Sequence, residues 1–159
     1  MQNIYMDIIE IIDNIGFQGP TITFIITACL LFNQKAFFIS YLVFYSANIY
    51  LNKILKNIFR QPRPTGWKAI NETDNDGGRV SYGMPSGHAQ WVTFSTTFLY
   101  LAKKDSSLLL LELVISALTI YQRWKYRRHS LGQLAAGSFV GASAAYLCYE
   151  LTNKYLITK

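Results

Sequence analysis

The sequence predicts an all-α, membrane-embedded helical bundle: about five transmembrane helices and an N-terminal interfacial helix, in one domain covering residues 1–159. Three observations predict it. Hydrophobic residues make up 51% of the chain and aromatics 15%, while the charged fraction, also 15%, falls short of the roughly 25% usual in soluble domains. That composition also fits a soluble helical bundle with a rich core, so the distribution decides: the apolar residues are gathered into long runs with few charges. Third, the basic residues are confined to short stretches between those runs.

Taken in order, Ile4, Ile8, Ile11, Ile12 and Ile15 recur at helical spacing around Asp7, Glu10 and Asp13. This is the pattern of an amphipathic helix at an interface, or of a surface helix packed on the bundle. No Lys or Arg precedes Lys35, so the positive region of a secretory signal is missing. Residues 16–32 carry no charge and form the first expected span; Asn33, Gln34 and Lys35 make a polar turn into the second, 36–51. Residues 88–102, 108–122 and 131–151 supply three more, interrupted by Lys103-Lys104-Asp105 and by 123–128. Several spans are about 17 residues, or about 26 Å at ~1.5 Å per residue, which suits a thin bilayer such as that of the endoplasmic reticulum, ~27 Å.

Between the second and third spans lies a long polar segment, 53–87, where Pro62 and Pro64 must stop any helix arriving from Leu55. Asn71-Glu72-Thr73 fits a glycosylation sequon, a triplet common by chance, and is assigned no role. The last span is rich in small residues, and Gly137 with Gly141 makes a G-x-x-x-G pair suited to close helix packing within the chain. Cys29 and Cys148 lie in apolar runs without C-x-x-C spacing and are expected as small core residues.

The net charge of +6 raises the possibility of nucleic acid, but such proteins spread their basic residues over a face or tail, so nucleic acid is excluded as a partner. With five spans, the N-terminus, the 53–87 segment and residues 123–128 share one side. That side collects Lys56, Arg63, Ser86, Gly87, His88, Arg123 and His129, including both histidines of the chain. A lone histidine at a helix end is usually structural; two, with three cations beside them, describe a phosphate site. A phosphoryl group in transfer spreads negative charge over its oxygens, so a site for it needs fixed positive charge and donors. Arginine offers a bidentate fork and lysine a point charge. Pro85-Ser86-Gly87-His88 opens a helix whose free N–H groups favour an anion; Gly87 allows close approach, and Ser86 can cap the helix or donate to the phosphate.

The string Lys56-(six residues)-Arg63-Pro64, Pro85-Ser86-Gly87-His88 and Arg123-(five residues)-His129 resembles the three-part signature of the type 2 phosphatidic acid phosphatase and vanadium haloperoxidase superfamily. The resemblance covers roughly residues 51–141. It implies an integral membrane hydrolase acting on a lipid phosphate or diphosphate without metal or other cofactor. It further implies His129 as the nucleophile that forms a phosphohistidine and His88 as the general acid that later activates water. Lys56, Arg63 and Arg123, with Ser86 and Gly87, would cradle the phosphate.

Two positions depart from the family pattern: Gln122 stands where Ser usually precedes the arginine, and Gln133 where Asp usually follows the nucleophile by four residues. On a helix beginning near Ser130, Gln133 is expected to reach His129 and hold its tautomer without adding charge. Dolichyldiphosphatases are similar in having Gln there and in the surroundings of the first two motifs, Gln61-Pro62-Arg63-Pro64 and Tyr82-Gly83-Met84-Pro85-Ser86 with Gln90. That similarity implies a polyisoprenyl diphosphate substrate and a site facing the lumen or exterior; the excess of basic residues on the motif-bearing face would favour the cytoplasm, but it nearly vanishes once Lys56, Arg63 and Arg123 are set aside for chemistry. A phosphatidic acid phosphatase and a weakly catalytic lipid-phosphate scaffold are the alternatives, and the oligomeric state is open.

Overall fold

In the computed structural model, which describes residues 2–74 and 82–157 with side chains from Ile8 onward, short polar signals set the helix limits. Asp105 accepts the N–H groups of Ser107 and Leu108 to start one helix, and Ser86 and Ser130 cap two others. Arg60 and Lys104 end helices in the left-handed conformation, at φ 46° and 53°. The elements so delimited are α1 (Gln2–Leu31), α2 (Lys35–Phe59), α3 (Gly87–Lys103), α4 (Ser106–Lys125) and α5 (Leu131–Thr152), the last continued by a π-helical turn, Asn153–Ile157. No strand occurs among the described residues.

α1 corrects one expectation. The amphipathic N-terminal stretch is not a separate helix but the first turns of α1, which runs on through Pro20. Asp13 is buried against the end of α4, where its carboxylate takes Lys125 Nζ at 2.6 Å and Tyr126 Oη at 2.9 Å. Ile4 lies outside the described side chains. Cys148 is buried as expected, but Cys29 is exposed on the outer face of α1.

Ile8–Leu31, Ser106–Lys125 and Leu131–Ile157 are long and apolar enough to cross a membrane. α2 and α3 complete the expected set of five helices. They are more polar because they bury Asn48, Asn52, Gln90, Ser95 and Thr96 inside the bundle.

α3 packs most extensively on α5, and α1 on α4. The α3–α5 contact is what the small residues are for: a Cβ on Gly137 would stand 2.4 Å from Ser86 O, and one on Gly141 2.1 Å from Gln90 O. The G-x-x-x-G pair is therefore used within the chain. Tyr41, Phe94, Phe98, Leu31 and Leu99 form a buried core against α5. Beside it runs a polar layer: Tyr41 Oη to Ser95 Oγ at 2.7 Å, Thr96 Oγ1 to Ser116 Oγ at 2.9 Å, and Thr27 Oγ1 donating to Glu112 Oε1 at 2.9 Å. The C-terminal end of α2, the start of α3, the end of α4 and the start of α5 meet at one end of the bundle, where the site lies.

Candidate active site

The Arg123-(five residues)-His129 spacing is a helix ending. α4 stops at Lys125, and Arg127 turns left-handed at φ 52°. Arg127 N–H then donates to Trp124 O and Arg128 N–H to Arg123 O, both at 2.9 Å. This folds Arg128 and His129 back over the last turn, so the spacing that marks the motif is the spacing that brings Arg123 and His129 together. Ser130 follows as the cap of α5.

His129 is 4% exposed. Its Nδ1 lies 2.8 Å from the carbonyl of Gly83. A carbonyl only accepts, so Nδ1 carries the hydrogen and Nε2 the lone pair. Arg63 Nη1, a donor, stands 3.5 Å from Nε2, as that assignment requires. Burial first, then the charges of Arg63 and Lys56, holds the imidazole well below the usual histidine range, and it is neutral at neutral pH.

Gly83, not Gln133, is therefore the orienting partner of His129. The expectation for Gln133 fails because His129 precedes the cap of α5 and does not sit on its helical face. Gln133 is instead the third residue of α5, and its side chain curls back so that Oε1 accepts Ser130 N–H at 3.2 Å, closing a capping box. Its Nε2 donates to Gln61 Oε1 at 3.0 Å and to Pro62 O at 2.9 Å, and its backbone carbonyl accepts Ser86 N–H at 3.0 Å. Gly83 N–H in turn donates to Gln61 O at 2.7 Å. A Cβ on Gly83 would meet the Gln133 amide at 2.5 Å, so this glycine is what lets the loop lie against α5.

A cavity of about 280 Å³ collects Lys56, Arg63, Gly87, His88, Arg123 and His129, all named from the sequence. Ser86 is fully buried behind it, its hydroxyl spent on capping Ala89 N–H at 3.5 Å. His88 stacks on Phe17 at 5.7 Å and lies 5.9 Å from Trp91. Asn52 supports this corner by donating to Pro85 O at 3.3 Å and Gln90 Oε1 at 2.8 Å. Lys56 Nζ donates to Tyr82 O, next to Gly83.

Sequence reasoning missed four contributors. Asp74 takes Arg123 Nη1 and Nη2 at 2.8 and 3.0 Å and Arg128 Nη2 at 3.2 Å. Arg128 lines the cavity and lies over Trp67 at 4.5 Å. Phe17 brings α1 to the site, with the Arg123 guanidinium 5.2 Å above its ring. The Gly83 carbonyl is the fourth. Gln122 Oε1 accepts Arg123 Nε–H at 2.7 Å, so the residue in the usual serine position holds the arginine.

An all-α bundle with membrane-length helices and a buried, cation-lined cavity holding two histidines defines a class of membrane protein built around an anionic group. The chain belongs to the PAP2 superfamily, whose profile matches residues 37–156. It is 32% identical over 116 residues to the dolichyldiphosphatase of Saccharomyces cerevisiae, covering 67% of this chain and 48% of that one. It is 29% identical to dolichyldiphosphatase 1 of Plecturocebus moloch over 143 residues, 87% of this chain and 54% of the relative. With dolichyldiphosphatase 1 of Homo sapiens it shares 29% over 131 residues, 80% and 49% of the two chains. The chain spans about half the length of these curated relatives. No solved structure matches it. α1, including Phe17, lies before the residues that the family profile matches.

Proposed function

We propose that the chain is an integral membrane phosphatase that hydrolyses a lipid diphosphate, of the dolichyl (polyprenyl) type named for its relatives, through a phosphohistidine on His129. The observation that carries this is the neutral His129, with its Nε2 lone pair held by the Gly83 carbonyl among Arg63, Lys56 and Arg123. Nε2 bonds to the terminal phosphorus as the bond from phosphorus to the bridging oxygen breaks. That oxygen leaves with the electron pair and takes a proton from His88. Water then attacks the phosphohistidine and gives a proton to His88; phosphate departs and His129 is restored. Lys56, Arg63 and Arg123 spread their charge over the phosphoryl oxygens, and the N–H groups opening α3 at Gly87 and His88 add donors. The site faces the lumen or exterior of a thin membrane such as the endoplasmic reticulum, and one domain does all of this.

The test is phosphate release by purified protein in detergent from dolichyl diphosphate and from phosphatidic acid, with and without a chelator. Release that survives the chelator and prefers the diphosphate is expected. Loss on metal removal sinks the metal-free mechanism, and a preference for phosphatidic acid makes the chain a phosphatidic acid phosphatase. Lipid binding without release from either lipid leaves the scaffold reading. His129→Ala should remove turnover and retain substrate binding, because the cations remain.

A further inference from the structure

The cations of the cavity surround both histidines, and Arg128 has as yet no task. Lys56 and Arg63 stand on the His129 side: Arg63 Nη1 is 3.5 Å from Nε2, and Lys56 holds Tyr82 beside the orienting carbonyl. Arg123 and Arg128 form another wall, tied together by the single carboxylate of Asp74. This wall reaches His88, since Arg123 covers the Phe17 ring on which His88 stacks. Both arginines are 1% exposed and both line the cavity. Arg128 is fixed on two sides, its Nη2 donating to the Asp74 carbonyl as well as facing its carboxylate, and its plane lying over Trp67.

Charge and chemistry give this wall a purpose. Among the lining residues, four cations face one carboxylate, which leaves a formal excess of three positive charges before either histidine is counted. A phosphate monoester carries about −1.5 to −2 at neutral pH, and a second phosphate adds roughly one more charge, so the excess matches a diphosphate better. The two leaving groups also differ in what they need. An alkoxide from a simple phosphate ester needs a proton, which His88 supplies. A departing lipid monophosphate already carries its charge on several oxygens, and fixed cations beside the acid stabilise it.

We propose that Arg128, held with Arg123 through Asp74, binds the second phosphate of a diphosphate substrate and so selects lipid diphosphates over lipid monophosphates. The proposal rests on the phosphatase reading above. Its quantity is a discrimination ratio: kcat/KM on dolichyl diphosphate divided by kcat/KM on phosphatidic acid, measured in detergent for wild type, Arg128→Met and Arg128→Lys. The methionine variant should lower the ratio by about 10-fold or more, and the lysine variant by less, because it keeps the charge and loses the fork. A fall on both lipids by the same factor, leaving the ratio unmoved, overturns the proposal and makes Arg128 a structural support. Should Arg128→Met not be recovered folded, the wild-type protein still decides. Methylenediphosphonate should inhibit phosphatidic acid hydrolysis at about one-tenth the concentration of inorganic phosphate, and equal inhibition by the two overturns the second subsite. Wild-type protein that hydrolyses neither lipid sinks the phosphatase reading, and this inference with it; turnover with an unmoved ratio sinks this inference alone.

Discussion

His129 is kept neutral by burial and by Arg63 and Lys56, and this fixes where activity is lost in acid. Its proton binds only at pH values below the ordinary histidine pKa of ~6.5, so Nε2 is still free when an exposed histidine would be half charged. The acid limb of kcat/KM should therefore lie below pH 6.5; a limb above it would show that the cations do not act on His129 as the geometry requires. Gln133 gives a second test. In Gln133→Glu a carboxylate faces the Gln61 and Pro62 oxygens that Nε2 now serves, a loss of about 1–3 kcal/mol in held geometry. Gln133→Ala and Gln133→Glu should both lower kcat by about 10–100-fold while leaving the acid limb in place. A limb displaced upward in the glutamate variant would mean that the side chain touches the imidazole after all. At this scale, Lys56, Arg63, Gly87, His88, Arg123 and His129 were legible from residue type and spacing. Asp74 and the Gly83 carbonyl were not. Their partners lie 49 and 46 residues away in the chain, and a backbone oxygen leaves no mark in residue identity.

Helices were legible where apolar runs are long, but their ends were not. α2 continues to Phe59, well past the expected limit at 51, because Asn52, Lys53 and Lys56 are polar residues on a helix that has reached the site. The close of α4 was hidden for another reason: a left-handed residue there is usually glycine or asparagine, and here it is Arg127. The α3–α5 seam yields the prediction of this scale. At Gly137 and Gly141 the nearest atom that an added methyl meets is a backbone carbonyl oxygen, which cannot swing aside, whereas at Gly132 the nearest is Ser130 Oγ at 4.0 Å. Gly141→Ala should cost about 1–3 kcal/mol of stability and reduce activity by moving His88. Gly132→Ala should leave the thermal midpoint in detergent within a degree or two. Equal midpoints for both variants would mean that the seam is not close-packed.

The site draws on the whole bundle: α1 to α4 line the cavity, and the start of α5 holds the loop beside it. α1 lies beyond the residues that define the family match, yet its Phe17 ring carries the Arg123 guanidinium and His88. Phe17→Ala should lower kcat by about 10-fold, with Phe17→Tyr close to wild type, because stacking on the ring face is what is removed; an alanine variant at full rate would make α1 a bystander. The α1–α4 pairing has one further consequence, which concerns time. Glu112 on α4 is fully buried and Thr27 on α1 donates to it, across 85 residues of chain. A carboxyl facing lipid at mid-helix costs about 2.5–3.5 kcal/mol on insertion scales, so α4 is sheltered only once α1 is beside it. At ~5–20 residues per second of synthesis, α1 is made roughly 4–17 s before its partner exists. It must stay laterally available through that interval while α2 and α3 are laid down. Stalled nascent chains with cysteines at positions 27 and 112 should cross-link only after α4 has emerged, so that the α1 side of the cavity is set once α4 is in place.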